Sequence, residues 1–365
     1  MPANPSSVTR AADHDVRRPD ARRLADAASH WRDRSTLLVL DPGLPDAIAH
    51  AVRDALHAAA RVRSVSPGPG SPTEETVRPI RDAIAEDEPE VIVAVGGGAT
   101  LDAAKIARSG VTAATTSRPR LVAVPTTAGT GAEATHFAVI YIDGVKKSIA
   151  GPEVRPDVAV IDPSLLASAP PMVAAAAALD ALVQSIESLL SVRATDGSRT
   201  AARAALRRLA ATLPDLDRHD DLGLAAFHAG VAIDVSFTGA AHALSYPFTA
   251  RADVPHGIAV GRLLPWVVEA LVEASDERLT HPDGPSAVRR FLREIAEAFG
   301  LAGPASLPRH LDGIADSVGV PRLPAIDTEL VHAEAAPERL ANTPLRFERA
   351  TVDRVLARAT SAGED

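Results

Sequence analysis

The feature that most constrains this chain is the alternation, from about residue 36, of short apolar runs with amphipathic segments. β-rich runs stand in "STLLVLD", "RVRSVSPG", "EVIVAVGGG" and "PRLVAVPTT". Stretches with helical spacing separate them: "LPDAIAHAVRDALHAAA", "TEETVRPIRDAIAEDEP" and "TLDAAKIARSG". Because parallel strands are joined by crossover connections, usually helices, this order predicts a doubly wound parallel α/β sheet.

The second half of the chain has a different character. "HFAVIYIDGVKKSIAG" predicts a hairpin that turns at Asp143-Gly144, and "PDVAVID" predicts a last strand over 156–162. After Pro170-Pro171 the spacing is helical throughout, with helices predicted over 172–192, 198–213, 221–236, 257–274, 286–299 and 349–360. The expected organisation is a disordered lead-in at 1–20, an α/β nucleotide-binding domain at 21–165 and an all-α domain at 166–365 that carries the metal and the substrate.

Composition excludes several classes of function. The chain of 365 residues is 46% hydrophobic, enough to bury ordinary cores. A net charge of −9 argues against a nucleic-acid surface, and the absence of cysteine excludes disulfides and thiolate chemistry and fits a cytoplasmic enzyme. The polar N-terminus lacks an apolar signal core, and no run approaches the roughly 20 apolar residues that span a bilayer. No membrane association is expected.

Two loops predict a nucleotide site. In "VIVAVGGGATLDAAK" a strand enters Gly96-Gly97-Gly98 and a helix follows. Such a turn brings backbone N–H groups and a helix N-terminus to a pyrophosphate, although a plain strand-to-helix turn is the alternative for the loop alone. "VPTTAGTGAEAT" at 124–135 offers hydroxyls suited to the ribose and the nicotinamide, from Thr126, Thr127 and Thr130.

Acidic residues add to the nucleotide prediction. Asp41 ends the first strand, where a carboxylate can accept hydrogen bonds from the adenosine ribose and repel a 2′-phosphate, which favours NAD(H) over NADP(H). An Asx turn before Pro42 is the alternative reading of Asp41. Asp102, in the helix after the glycine loop, is also a cofactor-binding candidate.

Five motifs in order resemble the iron-containing, or group III, alcohol dehydrogenases. They are "AVGGGATLDAAK", "VPTTAGTGAEAT", "DVAVIDPSLLASAPP", "ALDALVQSIES" and "HALSYPFTARADVPHGIAVGRLLP". The resemblance implies a dinucleotide-binding α/β domain and a helical domain of the dehydroquinate synthase-like fold, an active site in the cleft between them, and a homodimer. "YIDGVKKSIAGPEVRPDVAVIDPSL", "QSIESLLSVRATDGSR" and "AAHALSYPFTARADVPHG" are similar to reductases of phosphonate metabolism that act on phosphonoacetaldehyde.

The resemblance implies a divalent metal site, for iron or zinc, at Asp180, Gln184, His242 and His256. Gln184 stands where the family has a histidine, one helical turn after Asp180 and so on the same face. An amide oxygen is a poorer ligand than imidazole for zinc or iron, yet two histidines and one carboxylate can hold a catalytic zinc. The alternatives are structural roles for these residues and a reductase without metal, since hydride transfer needs only a polarised carbonyl and a proton source.

The resemblance also suggests groups for the proton and the substrate anion. Tyr246 stands where many relatives have a second histidine and is the candidate acid, with packing beside Pro247 as the alternative. His242 is the alternative donor if no metal occupies it. Arg251 is the preferred anion contact, since an arginine can clasp a phosphonate or carboxylate with two parallel hydrogen bonds. Further candidates for the anion are Lys146, Lys147 and Arg193, and one of the two lysines could instead serve the cofactor.

The predicted function is therefore an NAD(P)H-dependent reductase of a small anionic aldehyde or ketone, such as phosphonoacetaldehyde. One alternative is a metal-independent reductase of a keto or enoic carboxylic acid, similar to maleylacetate reductase. The other is a repurposed member that binds the nucleotide without redox turnover. The expected partners are a small-molecule substrate and a second copy of the chain.

Overall fold

The structure is a computed structural model that describes residues 21–56, 61–111 and 118–360. The predicted lead-in at 1–20 lies outside these residues. Contacts divide the chain into two compact units. The first contains the residues up to Thr127 together with Ala132–Ala169, and the second contains Ala128–Gly131 together with the chain from Pro170 onward.

The first unit is an α/β structure. Its elements in chain order are α1 (Arg22–Ala28), β1 (Ser35–Leu40), α2 (Asp46–Ala55), β2 (Arg61–Val65), α3 (Glu74–Asp87), β3 (Val91–Gly96), α4 (Gly98–Ser109), β4 (Arg120–Pro125), β5 (Phe137–Ile142), β6 (Val145–Ala150), β7 (Val158–Ala159) and α5 (Pro163–Leu166). Five strands form a parallel sheet in the order β2-β1-β3-β4-β7, and β5 pairs with β6 as an antiparallel hairpin. The predicted parallel sheet is confirmed.

Both faces of the sheet are covered, as β1 illustrates. Leu37 and Val39 belong to one apolar cluster, whereas Leu38 and Leu40 belong to another. Successive side chains of a strand point to opposite faces, so an uninterrupted apolar strand requires helices on both sides. Burial of the sheet on both faces therefore explains why its strands are apolar at successive positions.

Two local predictions have different outcomes. The hairpin turns at Asp143 and Gly144, both with positive φ (52° and 73°), as a tight two-residue turn requires. The strand predicted over 156–162 is only two residues long, although the N–H groups of Asp157 and Val160 on either side also bond to carbonyls of β4. Asp157 accepts a hydrogen bond from the Leu121 N–H, and Asp162 caps α5 through the Ser164 N–H.

The second unit is helical, as predicted. Its helices in chain order are α6 (Pro171–Leu190), α7 (Asp196–Thr212), α8 (His219–Ser236), α9 (Ala240–Arg251), α10 (His256–Glu273), α11 (Pro285–Ala298), α12 (Leu307–Ser317), α13 (Thr328–Glu334), α14 (Pro337–Leu340) and α15 (Arg349–Thr360). Contrary to the expectation from sequence, α6 is long and apolar enough to cross a bilayer. However, 83% of its most apolar 18-residue stretch is buried inside the protein. It is the core helix of this unit.

The helix that carries three candidate site residues, α9, is absent from the sequence prediction. Pro247 lies inside it and reads as a helix breaker, since proline lacks the N–H of the helical ladder. Burial of Leu244 and Phe248, each at 0% exposure, accompanies the helical conformation across the proline. Tertiary packing therefore overrides the local signal.

Ala128–Gly131, from the predicted threonine loop, packs within the second unit. A Cβ atom on Gly129 would lie 2.7 Å from the Cα atom of Ala177 on α6. Gly131 has φ +65°, and a Cβ atom there would lie 2.4 Å from the Cα atom of Gly230 on α8. Only glycine permits this approach of two backbones.

Candidate functional site

A cavity of about 350 Å³ opens at the carboxyl end of the first unit's sheet. Asp41, after β1, and Thr76 of α3 line it, together with Ala99 and Thr100 in the first turn of α4. The N-cap residue Gly97 offers no side chain to the N–H groups of α4. Ligands of open α/β sheets bind at this edge, and the free N–H groups of a helix N-terminus suit a phosphate.

Gly96 and Gly97 are needed for different reasons. A Cβ atom on Gly96 would lie 2.7 Å from the Cβ atoms of Asp41 and Thr100, so this position is closed by the protein itself. A Cβ atom on Gly97 would meet nothing nearer than Thr127 Oγ1, at 3.8 Å. The space beside Gly97 is therefore open to a ligand.

The Asp41 carboxylate forms the Asx turn that was the alternative reading. Oδ1 accepts from the Gly43 N–H at 2.9 Å, and Oδ2 accepts from the Gly97 N–H at 3.3 Å. The side chain also lines the cavity. It thus shapes the glycine loop, and its contact with a ribose stays a prediction.

Asp102 has a structural place between α4 and the hairpin. Its Oδ2 accepts from the Val139 N–H at 2.9 Å, and its Oδ1 lies 3.4 Å from Lys105 Nζ. Burial raises the pKa of Asp102, while Lys105 opposes the shift. Lys146 and Lys147 stand on β6, with Lys147 exposed. The cofactor roles of all three predicted residues stay predictions.

The structure brings three of the four predicted metal ligands together in the second unit. Asp180 lies in α6, His242 near the start of α9, and His256 at the first residue of α10. Their candidate ligand atoms all lie within 4.8 Å of one another. His242 Nε2 is 3.3 Å from Asp180 Oδ1, and the two imidazole ring centroids are 5.3 Å apart.

Gln184, one turn after Asp180, is 3% exposed. Its Nε2 donates to the carbonyl of Thr130 at 3.4 Å, so Thr130, predicted as a cofactor contact, orients this amide. Within the described part of the chain, Gln184 Oε1 and Asp180 Oδ1 are buried without a hydrogen-bond donor. Buried oxygens are normally satisfied, and a bound cation would satisfy both.

A residue bonded to a candidate ligand, Glu187, was not predicted from the sequence. Its Oε2 accepts from His242 Nδ1 and from the Gly239 N–H, both at 2.7 Å, and its Oε1 accepts from the Ala241 N–H at 2.7 Å. Glu187 follows Asp180 by seven residues, so "DALVQSIE" places both acids on one face of α6. That spacing was the available signal.

The three ligands fit a divalent metal. The carboxylate of Glu187 fixes the proton of His242 on Nδ1, which leaves the Nε2 lone pair facing Asp180. Burial lowers the pKa of His242, but Glu187 and Asp180 outweigh it and raise the pKa. Burial raises the pKa of Asp180, but the two histidines outweigh it and lower the pKa. Two nitrogen donors and a charged oxygen suit a catalytic zinc or iron with an open position.

The candidate acid Tyr246 and the candidate anion contact Arg251 lie in different surroundings. Tyr246 is half-buried one turn after His242, and the guanidinium carbon of Arg339 lies 5.6 Å from its ring centroid. Arg251 has a side chain 61% exposed and donates to Glu334 Oε1 at 2.6 Å. Its charge is matched at the surface, which disfavours the predicted anion contact. Arg193 is exposed and stacks on Phe237 at 4.4 Å.

Comparison with known proteins agrees with the fold. The family model "Iron-containing alcohol dehydrogenase" matches residues 17–163, and "Fe-containing alcohol dehydrogenase family, C-terminal" matches residues 174–308. The phosphonoacetaldehyde reductase of Streptomyces viridochromogenes is 33% identical over 332 residues, which are 81% of this chain and 82% of that protein. The probable alcohol dehydrogenase EutG of Salmonella typhimurium is 32% identical over 279 residues, 66% of this chain and 70% of that protein.

Solved structures share this fold. An iron-containing alcohol dehydrogenase from Thermococcus thioreducens superimposes with a TM-score of 0.77 at 25% identity and covers 92% of this chain and 96% of its own. The sulfoacetaldehyde reductase of Bifidobacterium kashiwanohense, in complex with NAD⁺, has a TM-score of 0.81 at 22% identity and covers 95% and 96%.

Proposed function

Because this chain belongs to the iron-containing alcohol dehydrogenase family, and so is an alcohol dehydrogenase or aldehyde reductase, we propose that it reduces a small anionic aldehyde or ketone with NADH. The proposed substrate is a phosphonate such as phosphonoacetaldehyde, the substrate named for the reductase that is 33% identical. We further propose that the enzyme acts as a homodimer in the cytoplasm.

The observation that carries the proposal is the convergence of Asp180, His242 and His256, whose ligand atoms lie within 4.8 Å of one another. These residues would hold the metal, with Gln184 Oε1 as a further oxygen ligand. A divalent metal bound there would supply a Lewis acid that polarises the carbonyl oxygen of the substrate. Glu187 keeps His242 in the tautomer and orientation that such a ligand needs.

The chain's other residues bind the cofactor and hold the proton. The cavity beside Asp41 and the N-terminus of α4 would hold the adenosine and pyrophosphate parts of NADH, which supplies the hydride. The phenolic O–H of Tyr246, one turn from His242, would donate the proton to the oxygen of the reduced carbonyl, directly or through water. Reduction then yields the hydroxyl compound and NAD⁺, with hydride and proton both accounted for.

The test combines metal analysis with turnover. Protein purified without chelator should contain close to one divalent metal per chain and oxidise NADH with phosphonoacetaldehyde faster than with acetaldehyde. The Asp180→Asn variant should lose the metal and the activity but still bind NADH. Undiminished activity with less than about a tenth of an equivalent of metal would contradict the metal mechanism. No oxidation of NADH with any carbonyl would contradict the reductase.

The second candidate is a metal-independent reductase of a keto or enoic carboxylic acid. It is favoured by one feature, the Gln184 amide beside Asp180, at the position where the resemblance implies a histidine. This candidate predicts full activity after dialysis against chelator and faster turnover of a carboxylate than of a phosphonate. The same preparations therefore decide between the two.

A further inference from the structure

We propose that Arg339, held by Thr238 and stacked on Tyr246, binds the anionic group of the substrate. The proposal rests on the proposed function and names the residue that would recognise its substrate class. It replaces Arg251, which the structure pairs with Glu334 at the surface. Arg339 stands on α14, about a hundred residues from the motif that contains His242 and Tyr246.

The backbone around Arg339 is fixed to the turn before α9. Asn342 Nδ2 donates to the carbonyls of Ser236 and Thr238, at 2.8 and 2.9 Å. Thr343 Oγ1 accepts from the Ala240 N–H at 2.8 Å. These contacts are buried, so α14 and the start of α9 form one rigid piece that defines the position of Arg339.

The side chain of Arg339 contacts residues that precede and follow His242 in the sequence. Its Nη1 donates to Thr238 Oγ1, four residues before His242. Its guanidinium carbon lies 5.6 Å from the ring centroid of Tyr246, four residues after His242. The cation therefore stands beside the segment that supplies a metal ligand and the candidate proton donor. An aldehyde bound near His242 would present to this segment an anionic group carried on the carbon next to its carbonyl, as in phosphonoacetaldehyde.

The charge of Arg339 is not neutralised by the protein. Among the residues that the structure describes, no carboxylate lies within ion-pair distance of it, and its side chain is half-buried. The contact with Thr238 uses one of five N–H donors. The remaining planar fork matches the paired oxygens of a phosphonate, sulfonate or carboxylate, and stacking on Tyr246 limits its rotation.

The experiment compares an anionic and an uncharged substrate in the metal-loaded enzyme. Arg339→Gln should raise the KM for phosphonoacetaldehyde by about tenfold to a hundredfold and weaken inhibition by methylphosphonate to a similar degree. The KM and kcat for acetaldehyde should stay within about threefold. Arg339→Lys, which keeps the charge but loses the planar fork, should recover part of the loss.

A matched control is Arg290→Gln in the same unit. Arg290 stacks on Phe291 at 5.0 Å, so its loss removes a similar cation–aromatic contact away from His242 and should leave both substrates unchanged. The Arg251→Gln variant, measured in parallel, tests the earlier prediction. A rise in KM confined to Arg251→Gln would overturn the assignment of Arg339.

The remaining outcomes separate this proposal from the proposed function. If the wild-type enzyme prefers phosphonoacetaldehyde but Arg339→Gln leaves its KM unchanged, the role of Arg339 is wrong and the function stands. If Arg339→Gln damages acetaldehyde turnover equally, Arg339 supports the structure and does not bind the anion. If the wild-type enzyme has no preference for the anionic aldehyde, the proposed substrate class is wrong. If methylphosphonate inhibits Arg339→Gln as strongly as it inhibits the wild type, the proposed anion subsite is wrong.

Discussion

The carboxylate of Glu187 connects α6 to the candidate ligand on α9. It accepts three hydrogen bonds at 2.7 Å, two from the backbone before and within α9 and one from the His242 ring. A histidine ligand whose second nitrogen is held by a carboxylate loses less entropy on binding metal and is more basic. Glu187 is thus expected to matter for metal affinity without contacting the metal.

Replacing Glu187 by the isosteric glutamine tests this role. We expect Glu187→Gln to weaken the affinity for Zn²⁺ by about tenfold to a hundredfold, since the amide can no longer accept every bond that the carboxylate accepts. Competition with a fluorescent chelator measures the affinity without reference to turnover. Glu294→Gln, which breaks an ion pair with Arg203 elsewhere in the unit, is the control. An unchanged Zn²⁺ affinity in Glu187→Gln would mean that Glu187 only anchors α9.

The site residues that could be predicted from the sequence are those grouped by short spacing or by one motif. Asp180 and Gln184 are one helical turn apart, and the two histidines belong to one motif, so their grouping followed from the family resemblance. The seven-residue spacing from Asp180 places Glu187 on the same helix face, but only the structure shows that its carboxylate bonds to the His242 ring. Arg339 could not be found, because its pairing with Thr238 and Tyr246 arises from tertiary contacts across about a hundred residues.

In the turn between β3 and α4, two adjacent glycines have different roles. Gly96 packs against Asp41 and Thr100, whereas the space beside Gly97 is open. The same sequence, Gly-Gly, therefore serves packing at one position and ligand approach at the next. A motif reading cannot tell these apart, because both glycines fit the same pattern.

Alanine substitutions should separate the two effects. Gly96→Ala should lower the free energy of unfolding by about 1–3 kcal/mol, because the added methyl would overlap Asp41 and Thr100. Gly97→Ala should change stability by less than about 1 kcal/mol but weaken NADH binding at least about tenfold, because a methyl would occupy the approach of the pyrophosphate. Urea unfolding and NADH fluorescence titration measure the two effects.

The control is Gly110→Ala at the other end of α4, where a Cβ atom meets only ordinary contacts, the nearest at 3.6 Å. It should leave NADH binding unchanged. Retention of full NADH affinity by Gly97→Ala would refute the pyrophosphate position.

Elements were predictable where the local signal and the packing agree. β1, β3 and β4 are uninterrupted apolar runs buried on both sides, and the sequence predicts them well. The strand predicted over 156–162 is shorter than the apolar run suggests: the Asp157 side chain accepts from the Leu121 N–H of β4, and Asp162 caps α5. Helix α9 forms through Pro247 because its buried side chains require it.

The stability of the molecule should depend on pH through one buried acid of the first unit. Glu133 is 4% exposed, and burial raises its pKa to about 7 from an ordinary value of 4.5, with its own backbone N–H and Lys105 opposing the shift. Between these values the folded state keeps a proton that the unfolded state has lost. Stability from this group is therefore present below pH 4.5 and is lost as the pH rises to about 7.

Glu133→Gln removes this titration. Relative to the wild type, the variant should gain roughly 2–3 kcal/mol of unfolding free energy between pH 5 and pH 8, because only the wild type must bury an ionised carboxylate at pH 8. Urea unfolding of both proteins at the two pH values gives the difference. Glu75→Gln, at an exposed position of the same unit, should show no such change. Parallel behaviour of the wild type and Glu133→Gln would refute the assignment.

The four residues Ala128–Gly131 are distant in sequence from the unit in which they pack. They come from the first half of the gene, yet Gly129 and Gly131 close against α6 and α8 of the helical unit. A fragment that begins at Pro170 would leave these helices without the segment they pack on. A single crossover between the coding regions of the two units would likewise separate the segment from its helices. A recombinant with a relative would keep this packing intact only where residues 128–131 come from the same parent as the helical half.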